Sequence, residues 1–296
     1  MTQPENPITD CSAFLKGGFP LHVTARDEQL FRLISRHNFL STKQIGERVF
    51  PKLKATTVLR RLRKLEAKGQ LLRLGRTPAG QTAWGNTDLT NETGTGCYSS
   101  SRTNLHTLEH DLLLNEVRFL LEEVAGVREW LDVRHMQADA CGDPFTKDFN
   151  AFCVGKDAHE DAVIPDSLFR HTKEGKQLGF TLELELSLKK NSRYDRLLER
   201  YGQLRSVETV LFIVRNPLIK NAIMRGARRT YGEVSKRYAV GLIDDLFAHR
   251  EHTPISILDG TLNPLKAFFD CNTSCLKGVQ APVLGMDNQT SPAIPT

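Results

Sequence analysis

The chain has 296 residues, of which 40% are hydrophobic and 25% are charged. This composition is typical of a folded globular protein, and the length suits about two domains of roughly 100–200 residues each. No apolar run approaches the roughly 20 residues that a bilayer span needs, and the N-terminus shows no secretory signal. We therefore exclude a fibrous, disordered or membrane-spanning chain and expect a cytoplasmic protein.

The cysteines and histidines indicate no metal site by their spacing. Six cysteines are scattered along the chain, which favours reduced thiols over a disulfide framework. Cys271 and Cys275 form one close pair but lack a second pair at metal-site spacing. His106 and His110 lie four residues apart without a recognisable third ligand, so we expect a structural or interface role for them.

The positive charge is concentrated in one block. Residues 20–85 hold 14 Lys and Arg against 4 Asp and Glu, whereas the rest of the chain holds 26 against 31. A basic block joined to a mildly acidic remainder is typical of a nucleic-acid-binding module attached to a different domain. A solvated basic face would produce the same count.

Three helices and a hairpin are predicted within this block. The first helix covers residues 25–36. The second follows Ser41, which with Gln44 fits a capping box, and is ended by Pro51. The third covers residues 54–68 and closes at Gly69. Strands at residues 70–74 and 81–84 flank a turn rich in glycine, so we predict a winged helix-turn-helix over residues 21–86, after a flexible segment at 1–20.

The third predicted helix has two distinct faces. Val58, Leu62 and Leu65 are spaced to face the core. A neighbouring stripe carries long cationic side chains that suit the major groove of DNA, with further cations on the hairpin reaching phosphates. The predicted DNA-binding residues are Lys43, Lys52, Lys54, Thr56, Thr57, Arg60, Arg61, Lys64, Arg73 and Arg76. Winged helices also serve as protein-protein modules, which stays an alternative.

A second domain is predicted over residues 105–271, after a linker at 87–104 and before a disordered tail at 272–296. A helix at 105–124 has an apolar stripe suited to core packing or to a dimer interface: Leu113, Val117, Leu120, Leu121 and Val124. Strands are predicted at 127–136, 162–170, 176–188, 209–214 and 238–243, with helices at 192–205 and 217–231. This alternation predicts an α/β fold with a mixed sheet.

Acidic residues are predicted to gather on one face of this sheet. Asp166 is placed in the second strand, and Glu183 and Glu185 alternate along the third. Carboxylates grouped in this way could hold a divalent cation for phosphodiester hydrolysis, with Asp166 and Glu183 as the metal ligands.

The topology and the spacing of Pro165-Asp166 and Glu183-x-Glu185 resemble the PD-(D/E)xK nuclease-like superfamily. That resemblance implies catalytic roles for Asp166, Glu183 and Glu185. A lysine is expected two positions after the acidic residue, where Glu185 or Ser187 stands, and Lys189 could substitute. Active variants with glutamate at that place exist in the superfamily. The alternative is a degenerate site whose carboxylates pair with Arg193 or Arg196.

Taken together, residues 25–245 resemble the replication-relaxation family of plasmids and other mobile elements, in which a winged helix precedes a nuclease-like domain. The resemblance rests on the basic block, on residues 106–116, on Ile164-Pro165-Asp166 with Glu183-Leu184-Glu185, and on the tyrosine-rich basic segment 193–201. It implies a role in plasmid replication, DNA relaxation or transfer.

We therefore predict a sequence-specific protein of a mobile element that binds double-stranded DNA, acting as a transcriptional regulator or an accessory factor of replication or transfer. Its nuclease-like domain is expected to be inactive, without cofactor, and to serve dimerisation or contact with a replication, transfer or transcription partner. A homodimer is expected because two-fold operators match two-fold proteins. The alternatives are an Mg²⁺- or Mn²⁺-dependent nuclease or nickase and a protein-protein interaction module.

Overall fold

A computed structural model describes residues 23–87, 105–127, 129–131, 165–173, 176–204, 206–232 and 237–270. These ranges contain eight α-helices, a three-stranded sheet and a seven-stranded mixed sheet, which confirms the predicted α/β class. The chain divides into two compact units, Met1–Glu109 and His110–Thr296. Within the described ranges, no helix combines the length and the apolar composition of a membrane span.

The first unit has three helices and a three-stranded antiparallel sheet. Its elements are α1 (Ala25–His37), β1 (Phe39–Ser41), α2 (Thr42–Val49), α3 (Ala55–Ala67), β2 (Leu71–Arg76) and β3 (Thr82–Asn86). The strand order is β1-β3-β2. The three helices and the hairpin therefore stand where the periodicity predicts them, within about two residues at each end.

Capping residues set the beginnings of the first two helices. Ser41 and Gln44 form the predicted capping box of α2: the Gln44 amide donates to Ser41 Oγ at 3.1 Å, and the Ser41 amide donates to Gln44 Oε1 at 2.9 Å. Thr24 and Asp27 make the same arrangement at α1. After α3, Gly69 takes a φ of 69°, the left-handed conformation that favours glycine.

Two features of this unit differ from the prediction. Residues 39–41, left unassigned between helices, form β1 and pair with β3. Asn86, beyond the end of the predicted strand at 81–84, belongs to β3, and its buried side-chain amide donates to the Phe31 carbonyl oxygen at 2.8 Å and to Ser35 Oγ at 2.7 Å. It thereby ties the sheet to α1, a contact between distant segments that no local pattern reveals.

The second unit is built on the seven-stranded sheet. In chain order its elements begin with α4 (Leu105–Val124), β4 (Glu129–Leu131), β5 (Ser167–Lys173), β6 (Lys176–Glu185), α5 (Asn191–Gln203) and β7 (Thr209–Val214). They continue with α6 (Pro217–Tyr231), β8 (Tyr238–Leu242), α7 (Ile243–His249), a 3-10 turn (Arg250–His252), β9 (Pro254–Ile257), β10 (Leu262–Pro264) and α8 (Leu265–Asp270). The boundary between the units falls inside α4.

The sheet order is β10-β9-β8-β7-β6-β5-β4. β6, β7 and β8 are parallel, and the outer strands pair antiparallel. α5 and α6 pack on one face of the sheet, in a core with Val210, Phe212 and Val240. α4, α7 and α8 pack on the other face, in a core with Leu182 and Ile213. Both faces of the sheet are therefore covered.

The apolar stripe of α4 is part of this second core. Val117, Leu120 and Leu121 are buried, and Leu113 and Val124 pack against the same cluster. Core packing, rather than a dimer interface, therefore accounts for the stripe.

The strands before α5 differ from the prediction at their ends. Pro165 and Asp166 lie before β5 rather than within it, because the Asp166 carboxylate, not a strand carbonyl, accepts the Leu184 amide at 2.7 Å. β6 ends at Glu185 rather than at residue 188, because its neighbour β7 ends at the paired Val214. Leu188, the last residue of the predicted strand at 176–188, is 59% exposed.

Other boundaries agree closely or add elements. β7 and α6 have the predicted ends, α5 ends at Gln203 rather than 205, and the described part of the first strand, β4, covers Glu129–Leu131 within the predicted 127–136. The prediction stops at residue 243, so it lacks α7, β9, β10 and α8. The N-terminal segment predicted to be flexible, most of the predicted linker, all six cysteines, the His106 side chain and the predicted tail lie outside the described residues.

Candidate functional site

The helix α3 has a buried apolar face and an exposed charged face. Val58, Leu62 and Leu65 are at most 1% exposed and fix the helix against the core of the first unit. Turned away from them are the exposed side chains of Thr56, Arg60, Arg63 and Lys64, while Thr57 is half-buried. Packing on one side thus holds a set of long cationic side chains in solvent on the other.

Arg61, which the sequence predicts as a DNA-binding residue, does not belong to the solvent-facing set. Its Nε donates to Asp27 Oδ1 at 2.9 Å, and its Nη2 donates to Asp27 Oδ2. The same carboxylate accepts the Thr24 amide at 2.8 Å and the Thr24 hydroxyl at 2.7 Å. Arg61 therefore links α3 to the beginning of α1 in a bidentate ion pair.

The electrostatics of this pair favour the charged carboxylate. Asp27 is fully buried, and burial alone would raise its pKa. The hydrogen bonds from Arg61 and Thr24 more than offset this, so the pKa of Asp27 lies below its ordinary value. Asp27 consequently stays ionised at neutral pH and keeps Arg61 in place.

Several other predicted DNA-binding residues are exposed around α3 and on the hairpin. Lys43, Lys52, Lys54, Arg73 and Arg76 all face solvent. Lys43 lies 3.9 Å from the exposed Glu47, and Arg73 lies 3.3 Å from the half-buried Glu66. Ion pairs at the surface of this kind contribute little to stability.

A groove of about 560 Å³ runs between the beginning of α1 and α3. Arg26, Arg60 and Lys64 line it, beside the Asp27–Arg61 pair. Arg26 is a cation that our prediction did not include, since no helical spacing connects it to α3.

In the second unit, the predicted acidic residues come together at one edge of the sheet. Ser167 of β5 lies opposite Leu182 of β6, so Asp166 lies next to Glu183. Glu183 and Glu185 share a face of β6, and both are buried. The sequence thus predicts the meeting of these three carboxylates, although Asp166 lies outside its strand.

Each glutamate has a donor from the chain. The Tyr201 hydroxyl donates to Glu183 Oε1, and the Lys189 ammonium donates to Glu185 Oε1 at 2.6 Å. Burial and the nearby Asp166 charge raise the pKa of Glu183 well above its ordinary value. Burial also raises the pKa of Glu185, although Lys189 opposes it. The charge of Arg193, one of the two arginines considered as partners of these carboxylates, also lowers the pKa of Glu185.

His110 is the member of this cluster that the sequence analysis did not include. Its Nε2 lies 3.0 Å from the Leu184 carbonyl oxygen and 3.4 Å from Asp166 Oδ2, and its Nδ1 lies 3.0 Å from Asp111 Oδ1. Burial lowers its pKa, but the two carboxylates outweigh burial and raise it to about 10. The imidazolium therefore supplies a positive charge beside Asp166.

The three carboxylates of the cluster are bonded to donors of the chain itself. Within the part of the chain that the structure describes, no three Asp, Glu, His or Cys side chains are grouped to hold a metal ion. Asp166, Glu183 and Glu185 instead accept hydrogen bonds from the Leu184 amide, Tyr201 and Lys189. Mg²⁺ and Mn²⁺ prefer carboxylate and water oxygens, and one oxygen of each of these three carboxylates is engaged by a donor of the protein.

Comparison with known proteins identifies the family. Residues 31–210 match the family model described as replication-relaxation. No curated protein and no solved structure gives a significant match. The matched segment contains α3, His110, Asp166, Glu183, Glu185 and Lys189. Since it covers more than half of the chain, the protein belongs to the replication-relaxation family, which points to a role in the replication of a mobile element.

Proposed function

We propose that the protein binds double-stranded DNA of a plasmid or other mobile element through its first unit, which we interpret as a winged helix-turn-helix. The observation that carries the proposal is the exposed cationic face of α3, held in place by buried Val58, Leu62 and Leu65. An α-helix with such a face suits the major groove, where arginine reads guanine and lysine contacts phosphates.

The hairpin supports the same interpretation. β2 and β3 follow α3 and correspond to the wing, and Arg73 and Arg76 are exposed on β2. Cations on both α3 and the wing would neutralise several phosphates at once. Sequence-specific binding of this kind fits a transcriptional regulator or an accessory factor of replication or transfer, and two copies bound as a homodimer would match a two-fold site.

A salt titration tests this proposal. We expect the affinity for a fluorescent duplex carrying DNA that flanks the gene to fall steeply with salt, by about 0.9 in log K per log salt for each phosphate contacted. Replacing Arg60 and Lys64 together by glutamine should reduce this slope by about 1–2 and weaken binding at least about tenfold.

The matched control removes the same charge from α1. Arg32 and Arg36 are exposed on the outer side of that helix. Their double replacement by glutamine should leave the slope close to that of the wild type. Salt-independent binding, or equal losses in both double variants, would contradict the role of α3. An interaction module for acidic proteins would bind the duplex no better than a short polyglutamate peptide.

We propose further that the nuclease-like unit does not cleave DNA, because the carboxylates of its cluster are bonded to donors of the same chain. Supercoiled plasmid incubated with the protein and Mg²⁺ or Mn²⁺ should remain supercoiled on an agarose gel. The Asp166→Ala variant serves as the control for contaminating nuclease. Nicking by the wild type that disappears in this variant would instead assign a metal-dependent nickase. Such an outcome would give catalytic roles to Asp166, Glu183, Glu185 and Lys189.

A further inference from the structure

The helices on the two faces of the seven-stranded sheet carry opposite charge. α5 and α6, which cover one face, contain seven Lys and Arg against two Asp and Glu. On the other face, the part of α4 within this unit, α7 and α8 together contain two Lys and Arg against seven Asp and Glu. The whole unit is not basic, so the positive charge of the α5–α6 face is a local feature of these two helices.

Five arginines of this face are accessible to solvent. Arg193 and Arg196 of α5 and Arg225, Arg228 and Arg229 of α6 are all exposed. Positions 225, 228 and 229 are three and four residues apart, which places their side chains on one side of the helix. Guanidinium groups are thus arranged along both helices rather than at one point.

The two helices form a continuous and rigid support for these groups. At Gly226 of α6, an added Cβ would lie 3.1 Å from a methyl carbon of Leu198 and from a carboxylate oxygen of Asp195, both on α5. The Tyr231 hydroxyl donates to the Leu198 carbonyl oxygen at 2.9 Å, and Arg229 donates to Asp195 at 2.7 Å. Such close packing keeps the outer surfaces of α5 and α6 side by side.

The chemistry of the face favours a polyanion over a protein partner. The cores of protein-protein interfaces are rich in apolar and aromatic side chains. Among the described residues of α5 and α6, Leu218 is the large apolar side chain that is strongly exposed, at 68%. Arginine forms paired hydrogen bonds to phosphate oxygens, and a row of arginines fits ligands with regularly repeated phosphates.

We propose that the α5–α6 face is a second contact surface for the phosphate backbone of double-stranded DNA, distinct from α3. The proposal takes its ligand from the proposed function and adds a site in the second unit. Binding there depends on charge and is independent of base sequence, because phosphates carry no sequence information.

The test compares double variants of the full-length protein. Arg225 and Arg228 are replaced together by glutamine, and binding to a fluorescent 30-base-pair duplex of random sequence is titrated between low and moderate salt. The slope of log K against log salt should fall by about 1–2 relative to the wild type, since each lost phosphate contact contributes about 0.9. In the matched control, Lys176 and Lys266, two exposed cations outside this face, are replaced together by glutamine. This variant should keep the wild-type slope.

A second comparison separates this proposal from the role of α3. In a background with Arg60 and Lys64 already neutralised, the residual affinity for random duplex should fall at least about another tenfold when Arg225 and Arg228 are replaced. A wild-type slope in the R225Q/R228Q variant would overturn the α5–α6 proposal while leaving α3 intact. Salt-independent binding by the wild type would overturn the proposed function itself. Unchanged melting temperatures confirm that each variant is folded.

Discussion

Replacing Arg61 by alanine is expected to lower the free energy of unfolding by about 3–5 kcal/mol, the typical cost of removing one partner of a buried ion pair. The variant removes the guanidinium from the Asp27 carboxylate, which is buried in the wild type, and leaves it the Thr24 donors. Chemical denaturation of the full-length protein, followed by circular dichroism, measures the loss.

The matched control is Arg60→Ala, which removes the neighbouring and exposed cation of the same helix. It should change stability by no more than about 0.5 kcal/mol, as surface substitutions usually do. Equal destabilisation by the two variants would contradict the structural role of Arg61. The comparison also separates effects on DNA binding from effects on folding, because the Arg60→Ala replacement is expected to lower the affinity for DNA without lowering stability.

The pH dependence of the Arg61 effect follows from the pKa of Asp27. Because the pKa of Asp27 in the folded protein is below its ordinary value of 3.8, the pair stabilises the folded state at higher pH. That stabilisation is lost as the pH falls through the folded value. The difference in the free energy of unfolding between the wild type and Arg61→Ala should therefore be largest at neutral pH and should decrease in acid. If the difference in the free energy of unfolding were the same in acid as at neutral pH, the ion pair would contribute through packing alone.

Replacing Glu183 by glutamine is expected to stabilise the protein at alkaline pH, on the order of 1–3 kcal/mol, the cost of an incompletely compensated buried polar group. Burial and Asp166 raise the pKa of Glu183 in the folded state, so folding favours its protonated form. The wild type therefore loses stability as the pH rises above the unfolded pKa. Glutamine stays neutral and can still accept the Tyr201 hydrogen bond.

Melting curves of the wild type and Glu183→Gln between pH 5 and pH 9, in the presence of a chelator, measure this effect. The gain from glutamine should grow with pH. The exposed Glu199, replaced by glutamine as the control, should give no such trend. A stabilisation of the wild type by Mg²⁺ that glutamine abolishes would contradict our interpretation, because it would show that the cluster holds a metal ion.

Periodicity predicts the elements whose burial is uniform along their length. β7, with all six residues buried, and α6, which begins with proline after an asparagine cap, have the predicted ends. The short elements after β8 escape prediction because three to seven residues carry too few turns or alternations to show a period. The end of β6 escapes it because a neighbouring strand, rather than its own sequence, sets where pairing stops.

The sequence predicts which residues the candidate sites contain. It does not predict which partners those residues contact. Helical spacing places Arg60 and Arg61 on one charged stripe. It carries no information about Asp27, which lies 34 positions before Arg61 and forms an ion pair with it. The alternation along β6 similarly places Glu183 beside Glu185. It cannot show that His110, from α4, reaches the same edge of the sheet. Contacts between distant segments decide which charges remain available to a ligand.

Among the strands that the structure describes, each strand of the large sheet pairs with the strand before it or after it in chain order. During synthesis, the strand that each new strand pairs with has therefore already been translated. An early strand does not stay unpaired until a much later strand is synthesised. Sequential addition of this kind keeps contacts local, which shortens the search for the native state and limits the exposure of unpaired edges to other nascent chains.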